Sequence, residues 1–126
     1  MLRMLNNANL QAPMGYSHAV EASGMGSMLF VSGQVGVRAD GSVPESVGEQ
    51  AKLAVANVYA MLSTAGMEKA NLAKVTIYLT DEAHLGEFMA AAGGTLPSPP
   101  PATTLLIVKA LAAPHLFVEI EAVAVR

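Results

Sequence analysis

Apolar residues recur along the chain at two spacings, and the change from one to the other marks the elements. Between positions 47 and 65 they fall at Val47, Ala51, Ala54, Val55, Val58, Met61, Leu62 and Ala65. That is the 3.6-residue period of a helix with one buried face. Ser42 with Glu45 three residues on forms a capping box, Pro44 suits a first turn and Gly66 suits the stop. The pattern therefore predicts a helix starting near Val43. At Lys74–Thr80 the period changes: Val75, Ile77 and Leu79 alternate with Thr76, Tyr78 and Thr80, a strand with one inward face. Thr80 or Asp81 can cap a second helix running to about Ala92, where Gly93 and Gly94 end it.

Shorter apolar runs supply the other strands. Tyr16–Glu21 and Met28–Ser32 read as short strands separated by a turn at Gly24, Gly26 and Ser27, and Asp40–Gly41 marks a later turn. Leu96–Pro101 (LPSPPP) cannot sit in a central strand. Thr103–Leu111 is a near-continuous apolar strand and Leu116–Arg126 the last one. The order β-β-α-β-α-β-β predicts an α+β fold, a mixed sheet with two helices on one face. No repeat and no linker divides residues 1–126, which are expected to form one domain.

Composition adds a partner. Of 126 residues, 52% are hydrophobic and only 13% charged, about half the usual charged share. A monomer of this size buries only about two-thirds of the surface its unfolded chain exposes. The surplus of apolar residues, and a sheet face with no helix left to cover it, both predict an oligomer. The net charge is −3 and Lys and Arg are spread singly, with no basic stripe to meet a phosphate backbone, so nucleic acid is not an expected partner. The absence of cysteine excludes disulfides, thiolate metal sites and cysteine nucleophiles. The three histidines show no metal-ligand spacing, so no metal is expected. No run approaches the roughly 18 apolar residues of a membrane span. The opening MLRMLNNANLQAP is too polar for a signal peptide, so a cytoplasmic location is expected.

Five segments in order carry a family likeness. Met14-Gly15-Tyr16-Ser17-His18-Ala19-Val20 resembles the opening G-P-Y-S-x-A-V of the RidA/YjgF family, also labelled endoribonuclease L-PSP. Leu29–Gln34 resembles its F-x-S-G-Q strand end, and the stretch with Gln50, Asn57, Ala65 and Gly66 its Q…N…A-G helix. Val75–Asp81 and Val118–Ala122 are similar to its V-x-x-T-V-F-x-x-D and V-E-I-E-A strands. The resemblance implies a YjgF/chorismate-mutase-like fold and a homotrimer with a barrel-like core and three clefts between subunits. In the family's deaminases those clefts hydrolyse reactive enamines and imines to a carbonyl compound and ammonia, without metal or organic cofactor. It further implies Glu119 and Tyr16 as catalytic residues, with Ser32 and Gly33 binding the small-molecule substrate.

One family feature is absent. Where the pattern has P-A-R-S this chain reads Pro101-Ala102-Thr103-Thr104, so Thr103 stands in place of the arginine. The arginine would hold a carboxylate through two charge-assisted hydrogen bonds, about 1.5–3 kcal/mol each. Lys109 is about 20 Å further along an extended strand, too far to substitute. His18, two residues after Tyr16 and on the same side of an extended segment, is the better candidate, able to bind an anion or move a proton. His84 and His115 read as solvated. Ser17 and Ser32 lack the G-x-S-x-G setting of a nucleophile. Two readings remain open: a hydrolase of a non-standard enamine or imine, and a non-catalytic small-molecule-binding trimer. An endoribonuclease or translation inhibitor is a poor third, for want of basic patches and stacking aromatics.

Overall fold

The computed structural model describes residues 1–24 and 26–126. Of the predicted turn between Gly24 and Ser27, Met25 lies outside the described residues. The strands are β1 (Leu2–Leu5), β2 (Ala19–Ala22), β3 (Met28–Val35), β4 (Leu72–Leu79), β5 (Ala102–Ile107) and β6 (Val118–Val125). The helices are α1 (Val47–Thr64) and α2 (Leu85–Ala92), the latter entered through a 3-10 turn at Glu82–His84. β3, β6, β4 and β5 form one mixed sheet in that order, with β4 and β5 parallel and the other pairs antiparallel. Both helices pack on one face of it, as the α+β pattern predicts. Among the described residues, no helix is long and apolar enough to cross a membrane.

The stripe read from the sequence is the one α1 buries. Val47, Ala51, Ala54, Val58 and Leu62 meet Val75, Ile77, Leu79, Ile120, Ala122 and Ala124 of the sheet in one apolar core. The start of α1 differs from the sequence reading. Its cap is Ser46, whose hydroxyl accepts the Glu49 N–H at 3.2 Å. Ser42 is drawn instead into the Asp40–Gly41 turn, where its N–H and hydroxyl both donate to the Asp40 carboxylate, at 2.9 and 2.7 Å. A second S-x-x-E pattern, four residues on, takes over the cap. Glu87 of α2 also accepts the N–H of Gly48 at 2.5 Å, satisfying another free amide and placing negative charge at the positive end of α1.

The far end follows the sequence reading. Gly66 takes φ +69°, the Gly66 N–H donates to the Ser63 carbonyl and the Met67 N–H to that of Leu62, the paired bonds of a Schellman stop. Asp81 caps the turn into α2 by accepting the Ala83 N–H at 2.9 Å.

One strand was missed and the bounds of the others shift by a few residues. β1 was not read from the sequence; it pairs antiparallel with β2 in a separate two-stranded sheet. The second strand begins at Ala19 rather than Tyr16, because Ser17 bonds to the stretch before β5 instead. β5 ends at Ile107, so Lys109 lies beyond the strand and not along its face.

Candidate functional site

Glu119, Gly33 and Ser32 meet at one side of the sheet. On β3, Val31 pairs with Ala122 and Gln34 with Ile120, so Ser32 and Gly33 together face the single residue Glu121. This is a β-bulge, which lifts two residues out of the regular ladder. The Glu119 side chain folds over it. A Cβ built on Gly33 would lie 2.6 Å from the Glu119 carboxyl carbon and 2.8 Å from Oε2. Only glycine leaves room for a carboxylate so close to the backbone.

Tyr16 and Thr103 meet at the other side. The Ser17 N–H donates to the Pro101 carbonyl at 3.1 Å and its buried hydroxyl to that of Pro100 at 2.6 Å. Those bonds lay residues 14–18 along the start of β5, and they occupy the Ser17 hydroxyl. Thr103 shares its face with Val75 and Leu105, towards the helices, and its hydroxyl donates to the Pro101 carbonyl at 3.2 Å. Tyr16 and Thr103 line one cavity of about 250 Å³ between the helices and the sheet.

His18 stands beside Tyr16, the rings edge to face with centroids 6.2 Å apart. Both of its ring nitrogens meet backbone. Nδ1 accepts the Asn7 N–H at 3.1 Å, so Nε2 carries the proton and donates to the Gln11 carbonyl, 2.9 Å away. In this arrangement the imidazole clasps the loop between β1 and β2 through both ring nitrogens.

One chain does not bring the two groups together. Glu119 pairs with Tyr78, and Thr103 with Val75, three residues further back along β4. Two strand spacings across and three residues along put their backbones roughly 14 Å apart. Their side chains also project from opposite faces, since Ile120 and Thr103 line the helix-side cavity while Glu119 alternates with Ile120.

The helix-free face carries polar residues that the sequence reading passed over. The Tyr78 hydroxyl donates to the Glu121 carboxylate, and the Lys74 ammonium donates to the Thr104 hydroxyl at 2.7 Å. The alternation of β4 signals that Lys74 and Tyr78 share an outward face, but their partners follow from the β4–β6 and β4–β5 registers. The cation nearest the Thr103–Thr104 pair is therefore Lys74, from the neighbouring strand. Among the described residues no group of three or more His, Asp or Glu is placed to hold a metal. His84, expected to be solvated, instead packs on Phe117 at 5.1 Å between ring centroids, its Nδ1 buried without a hydrogen-bond partner among the described residues.

Two of the three tyrosines are held above the ordinary phenol value of 10.0: Tyr78 because its neutral form donates to Glu121, and Tyr59 because of burial. A raised value means that folding favours the neutral phenol. That stabilisation is fully present below pH 10 and is lost as pH rises through the folded values. A spectrophotometric phenolate titration of the folded protein is expected to show two late steps, of which Tyr78→Phe removes one. Titration of both at pH 10, as in urea, contradicts this.

The sequence profile described as Endoribonuclease L-PSP matches residues 6–126. A RutC family protein of Aquifex aeolicus is 40% identical over 82 residues, which is 64% of this chain and 63% of that protein. TdcF of Escherichia coli, which carries the provisional name of reactive intermediate deaminase, is 36% identical over 72 residues, 56% of each protein. These matches thus span less than two-thirds of either relative's length. The crystal structure of the Rid family protein YyfB from Yersinia pestis superposes with a TM-score of 0.86 at 31% identity, covering 99% of this chain and 98% of that one. That of E. coli TdcF with bound serine superposes with a TM-score of 0.71 at 29% identity, covering 91% of both.

Proposed function

This chain belongs to the endoribonuclease L-PSP family, also called RidA/YjgF, and from that premise we propose that it is a homotrimer hydrolysing a reactive enamine or imine in clefts between its subunits. The observation that carries the proposal is the division of the site. Glu119 and Gly33 lie on one face, and Tyr16 and Thr103 open to the other near the opposite edge, so a second copy is needed to set them around one ligand. The exposed Phe30 on the helix-free face (71%) supports an apolar contact between copies. The relative TdcF, by its name a deaminase of reactive intermediates and solved with serine bound, supports a small amino-acid-derived ligand.

In the proposed reaction the Glu119 carboxylate takes a proton from water as the oxygen adds to the C=N carbon. The Gly33 N–H faces the charge that develops, Ser32 lines the same bulge, and the neighbouring copy's Tyr16 orients the substrate. Glu119 passes that proton to the nitrogen to complete the carbinolamine, then carries the hydroxyl proton to the nitrogen as the C–N bond breaks, releasing ammonia and the carbonyl compound. No nucleic acid, membrane, metal or cofactor enters this scheme, and a cytoplasmic setting is part of it. Thr103 offers a neutral hydroxyl where a guanidinium would hold a carboxylate, so the substrate is a non-standard one.

The test uses imines made in place by an amino-acid oxidase and enamines made by a threonine dehydratase, with ammonia release followed. Faster hydrolysis of an imine, strongly but measurably reduced by Glu119→Gln, together with a light-scattering mass near three times 13.0 kDa, is expected. For 2-aminoacrylate the acceleration is expected to be at least tenfold below that of an arginine-bearing relative; parity sinks the claim of a non-standard substrate. A trimer that binds such compounds without turnover establishes the binding protein instead.

A further inference from the structure

The cavity shared by Tyr16 and Thr103 runs inward from the edge of the sheet to Val58 and Leu72, which are 3% and 1% exposed. Its volume, about 250 Å³, exceeds the roughly 150 Å³ in which an apolar pocket takes up benzene. Met14 and Met89, 88% and 51% exposed, stand at its mouth, and the rings of Phe88 and Tyr59 form part of its wall.

None of the described residues lining this space is charged. A carboxylate or ammonium ion drawn into it would lose its hydration with no counter-charge in return. The hydroxyls on its wall are largely committed. Tyr59 donates to the Thr95 carbonyl, the Thr95 hydroxyl to that of Ala92 at 2.6 Å, and Thr103 to that of Pro101 at 3.2 Å. Tyr16 is the hydroxyl on the wall with no hydrogen-bond partner among the described residues, which makes it the polar handle. Aromatic edges and thioether sulfurs both favour a flat ring.

We propose that this intrachain cavity is a binding site for a neutral one- or two-ring aromatic group. It deepens the function proposed above, on which it rests only in reading that group as the side chain of the substrate. Seated there, the ring would leave its substituent at Tyr16, where a second copy's Glu119 would meet it. The cavity would then replace the missing arginine by shape and burial: grip on the hydrocarbon end rather than on a carboxylate.

The chain has no tryptophan, so indole fluorescence, excited at the red edge of tyrosine absorption, reports the ligand alone. Titration of the intact protein is expected to give a saturable blue shift and a rise of about 3 °C or more in the melting midpoint. Benzyl alcohol is expected to compete at least tenfold better than benzoate. Ala92→Leu, which adds three carbons to the cavity wall, is expected to weaken indole at least tenfold without lowering the melting midpoint. If that variant does not fold, nuclear Overhauser contacts from indole to the Val58 and Ala92 methyls of the unaltered protein decide the matter. A non-saturable shift, binding indifferent to Ala92→Leu, benzoate competing equally, or contacts to other methyls alone overturns the proposal. Turnover of imines without indole binding removes this inference and leaves the hydrolase; indole binding without turnover does the reverse.

Discussion

Gln50→Leu is expected to cost about 3–5 kcal/mol of unfolding free energy, a large share of the roughly 5–15 kcal/mol that holds a domain together. Gln50 sits within the apolar stripe of α1 and is completely buried. Its amide donates to the Pro44 carbonyl at 3.0 Å and the His115 carbonyl at 2.9 Å, and its carbonyl accepts the Phe117 N–H at 2.9 Å. One side chain thus joins the approach to α1 with the turn that delivers β6. Leucine fits the volume but satisfies none of the three, and each buried group left unpaired costs about 1–3 kcal/mol. Gly36 packs against the same residue: a Cβ there would fall 2.6 Å from the Gln50 Cα. Urea unfolding measures the loss. An exposed change in the same helix, Lys52→Gln, is expected to stay within about 0.5 kcal/mol, and a similarly small cost at Gln50 contradicts the account.

That glutamine shows what the sequence did and did not reveal. The period of α1 was legible because eight apolar positions repeat one short-range rule. Gln50 and Asn57 entered only as letters of a family pattern. Their reason lies in distant backbone, since Asn57 likewise donates to the Val35 carbonyl, at 3.1 Å. The start of α1 was displaced because two serines, Ser42 and Ser46, offer similar caps, and the choice falls to the Asp40–Gly41 turn. β1 was missed because four residues carry little periodicity and its partner is seventeen or so positions away. His18 read as a candidate to bind an anion or move a proton because its partners in the fold, Asn7 N–H and Gln11 O, are backbone atoms that every sequence possesses. For the candidate site, resemblance pointed to Glu119 and Gly33, but their contact depends on a bulge and a cross-strand register. Lys74 and Tyr78, written plainly in the β4 alternation, gain their partners by the same non-local route.

Gly33→Val is expected to reduce imine hydrolysis at least about a hundredfold while leaving the fold and the trimer in place. A displacement of about 1 Å at a reacting group is enough for a loss of that size, and a Cβ at 33 demands more: it would lie 2.6 Å from the Glu119 carboxyl carbon, so the carboxylate must swing away. Valine suits a strand, and position 33 is exposed, so the stability change is expected to stay within about 1 kcal/mol. The smaller Gly33→Ala is expected to lose less, because its single methyl can be met by a smaller rotation of the glutamate. Coupling separates this from general damage. If Gly33 matters because it makes room for Glu119, then Gly33→Val combined with Glu119→Gln should be no worse than Glu119→Gln alone. Losses that multiply would show that position 33 acts on its own, through its N–H or the path of β3. Loss of trimer mass in Gly33→Val would trace the effect to assembly and remove the carboxylate from the explanation.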